Sequence, residues 1–207
     1  MSGLFVTFEG VDRSGKTTQA RLLCRALGEQ AVCVREPGGT PVGEHVRELL
    51  KDPSLELGPA AEALLFAAAR AELVARVIRP ALEAGRVVVC DRFLDSSLAY
   101  QGEARGLGVD EVERVNILAT RGLVPDLTVL LCLEPGVAAR RAAEEEHDRF
   151  EGEGAGLQER VRAAYERLAR EQPGRFRCIA ADRSPEDVHA DVLAAVEAVR
   201  AAAAPAL

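Results

Sequence analysis

The sequence predicts an α/β fold, a mostly parallel five-stranded sheet with helices on both faces. Three observations carry that prediction. Short apolar runs alternate with longer helical stretches along the chain, the order that builds a parallel sheet. Runs such as Val87-Val88-Val89-Cys90 are apolar throughout rather than at alternate residues, as expected of strands buried on both faces. The first run, Leu4-Phe5-Val6-Thr7-Phe8, leads through Gly10-Val11-Asp12-Arg13-Ser14-Gly15-Lys16-Thr17-Thr18 into Gln19-Ala20-Arg21-Leu22-Leu23. That is strand, glycine-rich turn and helix, with the spacing G-x-x-x-x-G-K-T intact. The architecture implied is the three-layer sandwich of P-loop NTPase type.

Each element has a local reason. The predicted strands are Leu4–Phe8, Ala31–Arg35, Arg86–Cys90, Leu127–Leu133 and Arg175–Ala180. Between them, apolar spacing predicts helices over Lys16–Leu27, Val42–Leu50, Ala60–Ala84, Val109–Arg121, Gly136–Ala143, Leu157–Glu171 and Pro185–Ala203. In the glycine-rich turn, Gly10 and Gly15 allow tight wrapping, because glycine has no Cβ to clash at positive φ. The loop amides then point inward at the start of a helix, where the dipole favours an anion. Lys16 adds a mobile cation for the β and γ phosphates, and Thr17 offers a hydroxyl to Mg²⁺. The motif predicts a bound nucleoside triphosphate and leaves the phosphate acceptor open.

Ligands of parallel α/β sheets bind beyond the carboxyl ends of the strands. After the second strand comes Arg35-Glu36-Pro37-Gly38-Gly39-Thr40, a turn, with Arg47 on the next helix placed to reach back to an anion. Phe66 and Arg70, four residues apart, share a helix face. They read either as a core phenylalanine beside a solvated arginine, or as an aromatic plate for a flat ring with an arginine at its edge. After the third strand comes Asp91-Arg92-Phe93-Leu94-Asp95-Ser96-Ser97-Leu98-Ala99-Tyr100-Gln101-Gly102. An aspartate ending a buried strand needs a partner or a metal, and in a P-loop fold it serves the Mg²⁺ shell. Arg92 is placed for a phosphate. Ser96 or Ser97 would also serve as a helix N-cap. After the fourth strand, Arg140, Arg141, the acidic run Glu144-Glu145-Glu146, Arg149 and three glycines read as a lid at about 136–156, or as a solvated helix end and loop.

Bulk properties exclude several classes. At 207 residues, one domain spanning 1–207 is the expectation. The net charge of −7 argues against a nucleic-acid polymer as partner, though a local arginine cluster can still hold one nucleotide. No apolar run is long enough for a membrane span, and no signal pattern opens the chain. Cytoplasmic placement is expected. Cys24, Cys33, Cys90, Cys132 and Cys178 show no C-x-x-C spacing. They read as small buried thiols rather than metal ligands or disulfides. Lys16 and Lys51 are the only lysines.

Taken in order, Phe8-Glu9-Gly10 through Gln19, Arg35 through Thr40, Leu65-Phe66 with Arg70, Asp91-Arg92-Phe93 with Ser96 and Ala99-Tyr100-Gln101-Gly102, and Asp148-Arg149-Phe150-Glu151 resemble the thymidylate kinase family. The resemblance spans essentially the whole chain. It implies transfer of phosphate from ATP to dTMP with Mg²⁺, and a homodimer. It further implies that Gly10 to Thr18 hold the ATP phosphates, and that Thr17 and Asp91 serve Mg²⁺. Asp12 would sit between the dTMP sugar and its phosphate. Arg92 would grip that phosphate with help from Arg47. Phe66 would stack on thymine and Arg70 would bond a base oxygen. Ser97 and Gln101 would lie beside the base, and Tyr100 under the sugar 2′ carbon. Some family members carry a basic residue inside the phosphate loop and others carry arginines in the lid. Arg13, with the acidic lid run, puts this chain with the former, so Arg13 is the expected transition-state cation, and with Lys16, Arg92, Arg149 and Mg²⁺ it would relieve the repulsion between the two nucleotides. Arg140 or Arg141 would support adenine or the phosphates. Two other readings stand beside this one: a P-loop kinase of another nucleoside monophosphate or deoxynucleoside, and a non-catalytic nucleotide-binding regulator.

Overall fold

The computed structural model describes residues 3–134, 137 and 154–203. Its elements, in order, are β1 (Leu4–Glu9), α1 (Lys16–Leu27), β2 (Ala31–Arg35), α2 (Pro41–Lys51), α3 (Pro59–Leu73), α4 (Arg79–Glu83), β3 (Val87–Asp91), α5 (Leu94–Ser97), α6 (Val109–Thr120), β4 (Leu127–Cys132), α7 (Gly154–Glu171), β5 (Phe176–Ala180) and α8 (Pro185–Ala203). The five strands form one parallel sheet in the order β2-β3-β1-β4-β5. The chain steps from β1 out to the edge strand β2, returns through β3 and then crosses over β1 to β4, so β1 lies between β3 and β4. The carboxyl ends of β1 and β3 are therefore side by side, with Phe8 opposite Asp91. This is where an open parallel sheet places its ligand.

Successive side chains of a strand point to opposite faces, and two cores result. Val6 and Phe8 of β1, Val87 and Val89 of β3 and Val129 of β4 share one core with α1, α6, α7 and α8. Phe5, Val88 and Cys90 face the other, against Leu73, Val74 and Ile78.

The helix ends follow from their sequences. Thr40 caps α2, its hydroxyl accepting from the Gly43 amide at 3.0 Å, and Pro41 follows at N1, where no amide donor is needed. Ser184 does the same for Asp187 of α8 at 3.1 Å. The long helix expected over 60–84 is broken into α3, a π-helical stretch Val74–Ile78, and α4. Pro80 lies just past that stretch, and its missing N–H and bulky ring remove one ordinary i→i−4 bond. A second π-helical stretch, Leu98–Ala104, carries Tyr100 and Gln101.

The cysteine expectation is corrected. Cys24 of α1 and Cys33 of β2 form a disulfide, with Cα atoms 6.2 Å apart. Of the remaining three, Cys90 is buried, Cys132 is half-buried and Cys178 is exposed. The physical reason is sheet order. β2 and β5 are edge strands, so an apolar run there is not covered on every side, and Cys33 and Cys178 lie open. Most of the expected lid, with Arg140, Arg141 and Arg149, lies outside the described residues.

Candidate active site

The phosphate loop is built as its sequence requires. Gly10 sits at φ 140° and Gly15 at φ 94°. A Cβ on Gly10 would come within 2.6 Å of the Leu131 carbonyl oxygen, so only glycine fits there. Lys16 folds back over the loop. Its Nζ donates to the Val11 carbonyl at 2.7 Å and to Ser14 Oγ at 3.4 Å. Burial, and then the neighbouring Arg92 charge, push the Lys16 ammonium down to about 8. A bound polyphosphate would push it back up by favouring the charged form.

The loop borders a cavity of about 440 Å³. It brings together most of the residues singled out above: Asp12, Arg13, Lys16, Thr17, Arg47, Phe66, Arg70, Asp91, Arg92, Ser97, Tyr100 and Gln101 all line it. Gly10, Val11, Ser14, Gly15 and Thr18 form the loop and its helix without lining the cavity. Arg35 and Lys51 join the wall, so seven cationic side chains face only three carboxylates there. On a chain of net charge −7 this is a sharply local basic field, suited to an anionic ligand.

At the loop end, Thr17 Oγ1 donates to Asp91 Oδ2 at 2.5 Å. Asp12 is the hub of the middle. Arg92 donates to Asp12 Oδ1. Gln158 of α7 grips Asp12 twice, its Nε2 donating to Oδ2 at 2.7 Å and its Oε1 accepting from the Asp12 amide at 3.3 Å. Burial alone would raise the Asp12 carboxyl, yet the Arg92 and Lys16 charges win and hold it below its ordinary range. Arg92 itself lies 5.2 Å over the Tyr100 ring and donates to Ser96 Oγ at 3.2 Å. Ser96 is thus a link in the site, and neither it nor Ser97 caps α5.

At the far end, Arg70 is almost wholly buried, at 1% exposure. Each of its five N–H groups has an acceptor. Nε and Nη2 donate to Glu36 Oε2 at 2.8 and 2.5 Å, Nη2 to the Phe93 carbonyl at 3.0 Å, and Nη1 to Ser97 Oγ at 3.0 Å and to Asn116 Oδ1. Removing one partner from such a buried pair costs about 3–5 kcal/mol. With Arg70 already donating to it, the Ser97 hydroxyl has its own proton to give. Arg47 donates to the Pro37 carbonyl at 3.0 Å, so it is held against the turn that the sequence pointed to.

Four contributors are not among the site residues singled out from the sequence. Glu9, fully buried, accepts from the Phe93 amide at 2.8 Å, Ser96 Oγ at 2.6 Å and Tyr165 Oη at 2.8 Å. Glu36 orients Arg70, and Gln158 and Tyr165 reach in from α7. A carboxylate directly before Gly10 was the one available hint, since an unpartnered acid is too costly at the end of a buried strand.

A phosphate loop at the end of β1, facing an aspartate at the end of the neighbouring β3, with a second basic compartment beside it, defines a P-loop protein built for two anionic ligands. The sequence model of the thymidylate kinase family matches residues 8–192. Thymidylate kinases of Symbiobacterium thermophilum and Pelotomaculum thermopropionicum are 50% and 51% identical over 200 and 205 residues. Those matches cover 95% and 96% of this chain, and 94% and 95% of the relatives. The crystal structure of thymidylate kinase from Ehrlichia chaffeensis superposes with a TM-score of 0.78 at 33% identity, covering 95% of this chain and 99% of that one. This chain belongs to the thymidylate kinase family.

Proposed function

We propose that this chain transfers the γ-phosphoryl group of ATP to the phosphate of dTMP, giving ADP and dTDP. The observation that carries the reading is the single cavity in which Lys16 and Arg13 of the loop meet Arg92, Arg70, Phe66 and Gln101 of the second compartment. Phosphoryl transfer asks the protein mainly for in-line positioning and charge stabilisation. The acceptor is already a phosphate oxygen, so no strong general base is required. Lys16 and the loop amides hold the donor phosphates, with Thr18 and Arg140 in support. Arg92, fixed by Asp12 and Ser96, grips the acceptor phosphate, and Arg47 assists. Arg13 and Arg149 act on the transferred group.

Phe66 stacks on the base, Ser97 and Gln101 read its edge, and Arg70 reaches the base by exchanging one of its present acceptors for a base oxygen. Tyr100 lies beneath the sugar. Thr17 Oγ1 and Asp91 Oδ2 offer two adjacent hard oxygen donors, which fits Mg²⁺ completed by phosphate and water oxygens. That ion would neutralise charge between the β and γ phosphates. We further place the chain in the cytoplasm as one domain with a lid at about 136–156, and as a homodimer. No helix among the described residues is long and apolar enough to cross a membrane.

The test is ADP release from ATP and Mg²⁺ with dTMP, dUMP, ribothymidine monophosphate, dCMP, dGMP, AMP and thymidine offered separately. Strong turnover with dTMP, weaker with dUMP and little with the ribose form is the expected result. Preferred turnover of another acceptor would leave the phosphate loop in place and overturn the reading of the second compartment. Binding of ATP with no acceptor-dependent release would point to a regulator.

A further inference from the structure

Glu62 sits in the first turn of α3 at 1% exposure, and it does not line the cavity. Its Oε1 accepts from Gln101 Nε2 at 2.8 Å and pairs with Arg105 Nε at 2.6 Å. A carboxylate paired with a guanidinium only accepts hydrogen bonds. The end of the Gln101 amide that meets it must therefore be the NH₂ end. The amide is planar, so fixing the nitrogen fixes the oxygen. Gln101, itself buried at the wall of the cavity, is left presenting Oε1 to whatever binds there.

An amide free to flip would offer a donor or an acceptor with equal ease and would read a base edge poorly. We propose that Glu62 is a specificity-determining positioning residue: by pinning the Gln101 amide nitrogen, it commits the second compartment to a ligand whose ring carries an N–H donor. The pyrimidine that fits is one with a protonated N3, as in thymine and uracil, and not one with a bare N3, as in cytosine. A mis-set amide loses one hydrogen bond with the right base and gains one with the wrong base. This rests on the assignment of Gln101 to the nucleobase end of the site.

The experiment compares kcat/KM for dTMP with that for 5-methyl-dCMP in the wild type, Glu62→Gln, Gln101→Ala and the double variant, with KM for ATP as control. Glu62→Gln keeps volume but lets either end of the amide face it. The dTMP preference should fall roughly tenfold, with KM for ATP unchanged within twofold. If Glu62 acts through Gln101, the double variant shows no further loss of preference beyond Gln101→Ala alone. Equal losses with both nucleotides, or additive losses in the double variant, would make Glu62 merely structural and overturn the proposal while leaving the function intact. An unchanged preference in Gln101→Ala would instead overturn the placement of Gln101 at the base. Should Glu62→Gln melt below the assay temperature, Glu62→Ala is read by the same ratio, and by the difference between the melting shifts that dTMP and 5-methyl-dCMP produce. Arg105, partly exposed, can then turn to water.

Discussion

Arg13 and Arg92 share a backbone feature that ordinary side chains avoid, since both sit at positive φ, 62° and 68°. A left-handed conformation costs a non-glycine residue about 1–2 kcal/mol. Here it turns two guanidinium groups into the same cavity. The loop spacing alone showed that a phosphate would bind, but not that Arg13 would face it. If Arg13 meets charge that develops only during transfer, Arg13→Ala should lower kcat by about a thousandfold while dTMP affinity changes only a few-fold. Steady-state kinetics beside equilibrium dTMP titration separates the two, and a full-speed variant would move the role to the lid arginines. Phe66 offers the complementary test. It packs partly against the small cluster of Val46, Leu50 and Ala69, and also lines the cavity, a place compatible with both the core and the binding reading. Phe66→Ala should raise KM for dTMP at least tenfold, as expected for a lost stacking partner, with KM for ATP nearly unchanged. A shift in the ATP constant instead would assign the ring to the donor side.

At the scale of elements, Glu9 ties three of them together: it ends β1, holds the segment between β3 and α5 through Phe93 and Ser96, and takes a bond from Tyr165 on α7. Burial, with the Asp95 charge next, pushes its carboxyl from 4.5 up to about 7. Between those values the folded protein keeps a proton that the unfolded chain has lost, so this group makes the fold less stable as pH rises across that window. The full effect is on the order of 3 kcal/mol. Glu9→Gln keeps the shape and removes the titration. Urea unfolding at pH 5 and pH 7.5 should show the wild type losing stability relative to the variant over that rise, and parallel pH dependence in the two proteins would refute it. The strands and most helices were legible in the sequence because apolar period and run length report burial directly. The two π-helical stretches were not, since widening by one residue leaves composition unchanged. The Cys24–Cys33 bridge was invisible for a related reason, as strand order decides which apolar runs lie at an edge, and order is set by tertiary packing. The site was legible where a motif fixes chemistry and spacing together, as at Lys16, Asp91 and Arg92. Glu62 and Gln158 act from other elements, and no local spacing marks them.

Across the whole molecule, α3 and α6 have two opposed faces. Inward, Phe66 and Arg70 of α3 and Asn116 of α6 build the second compartment and the buried network behind it. Outward, Leu64 of α3 and Ile117 and Leu118 of α6 are 57%, 56% and 82% exposed. Large apolar side chains gathered on two adjacent helices are what a self-complementary interface needs, which supports the proposed homodimer. Asn116 and Ile117 are consecutive in the chain, so a change in how α6 sits against a partner would be felt at the hydrogen bond from Arg70 to Asn116. Leu118→Glu puts a charge at the most exposed point of this face while touching nothing in the cavity. Sedimentation should find the wild type as a dimer and Leu118→Glu as a monomer at the same concentration. The melting temperature of the wild type should rise with protein concentration and that of the variant should not. Because the helices that would dimerise also carry Phe66 and Arg70, the monomer should show a several-fold higher KM for dTMP with KM for ATP nearly intact. A wild-type protein that sediments as a monomer would overturn the homodimer, and a monomeric variant with an unchanged KM for dTMP would uncouple the outer face of these helices from the inner one.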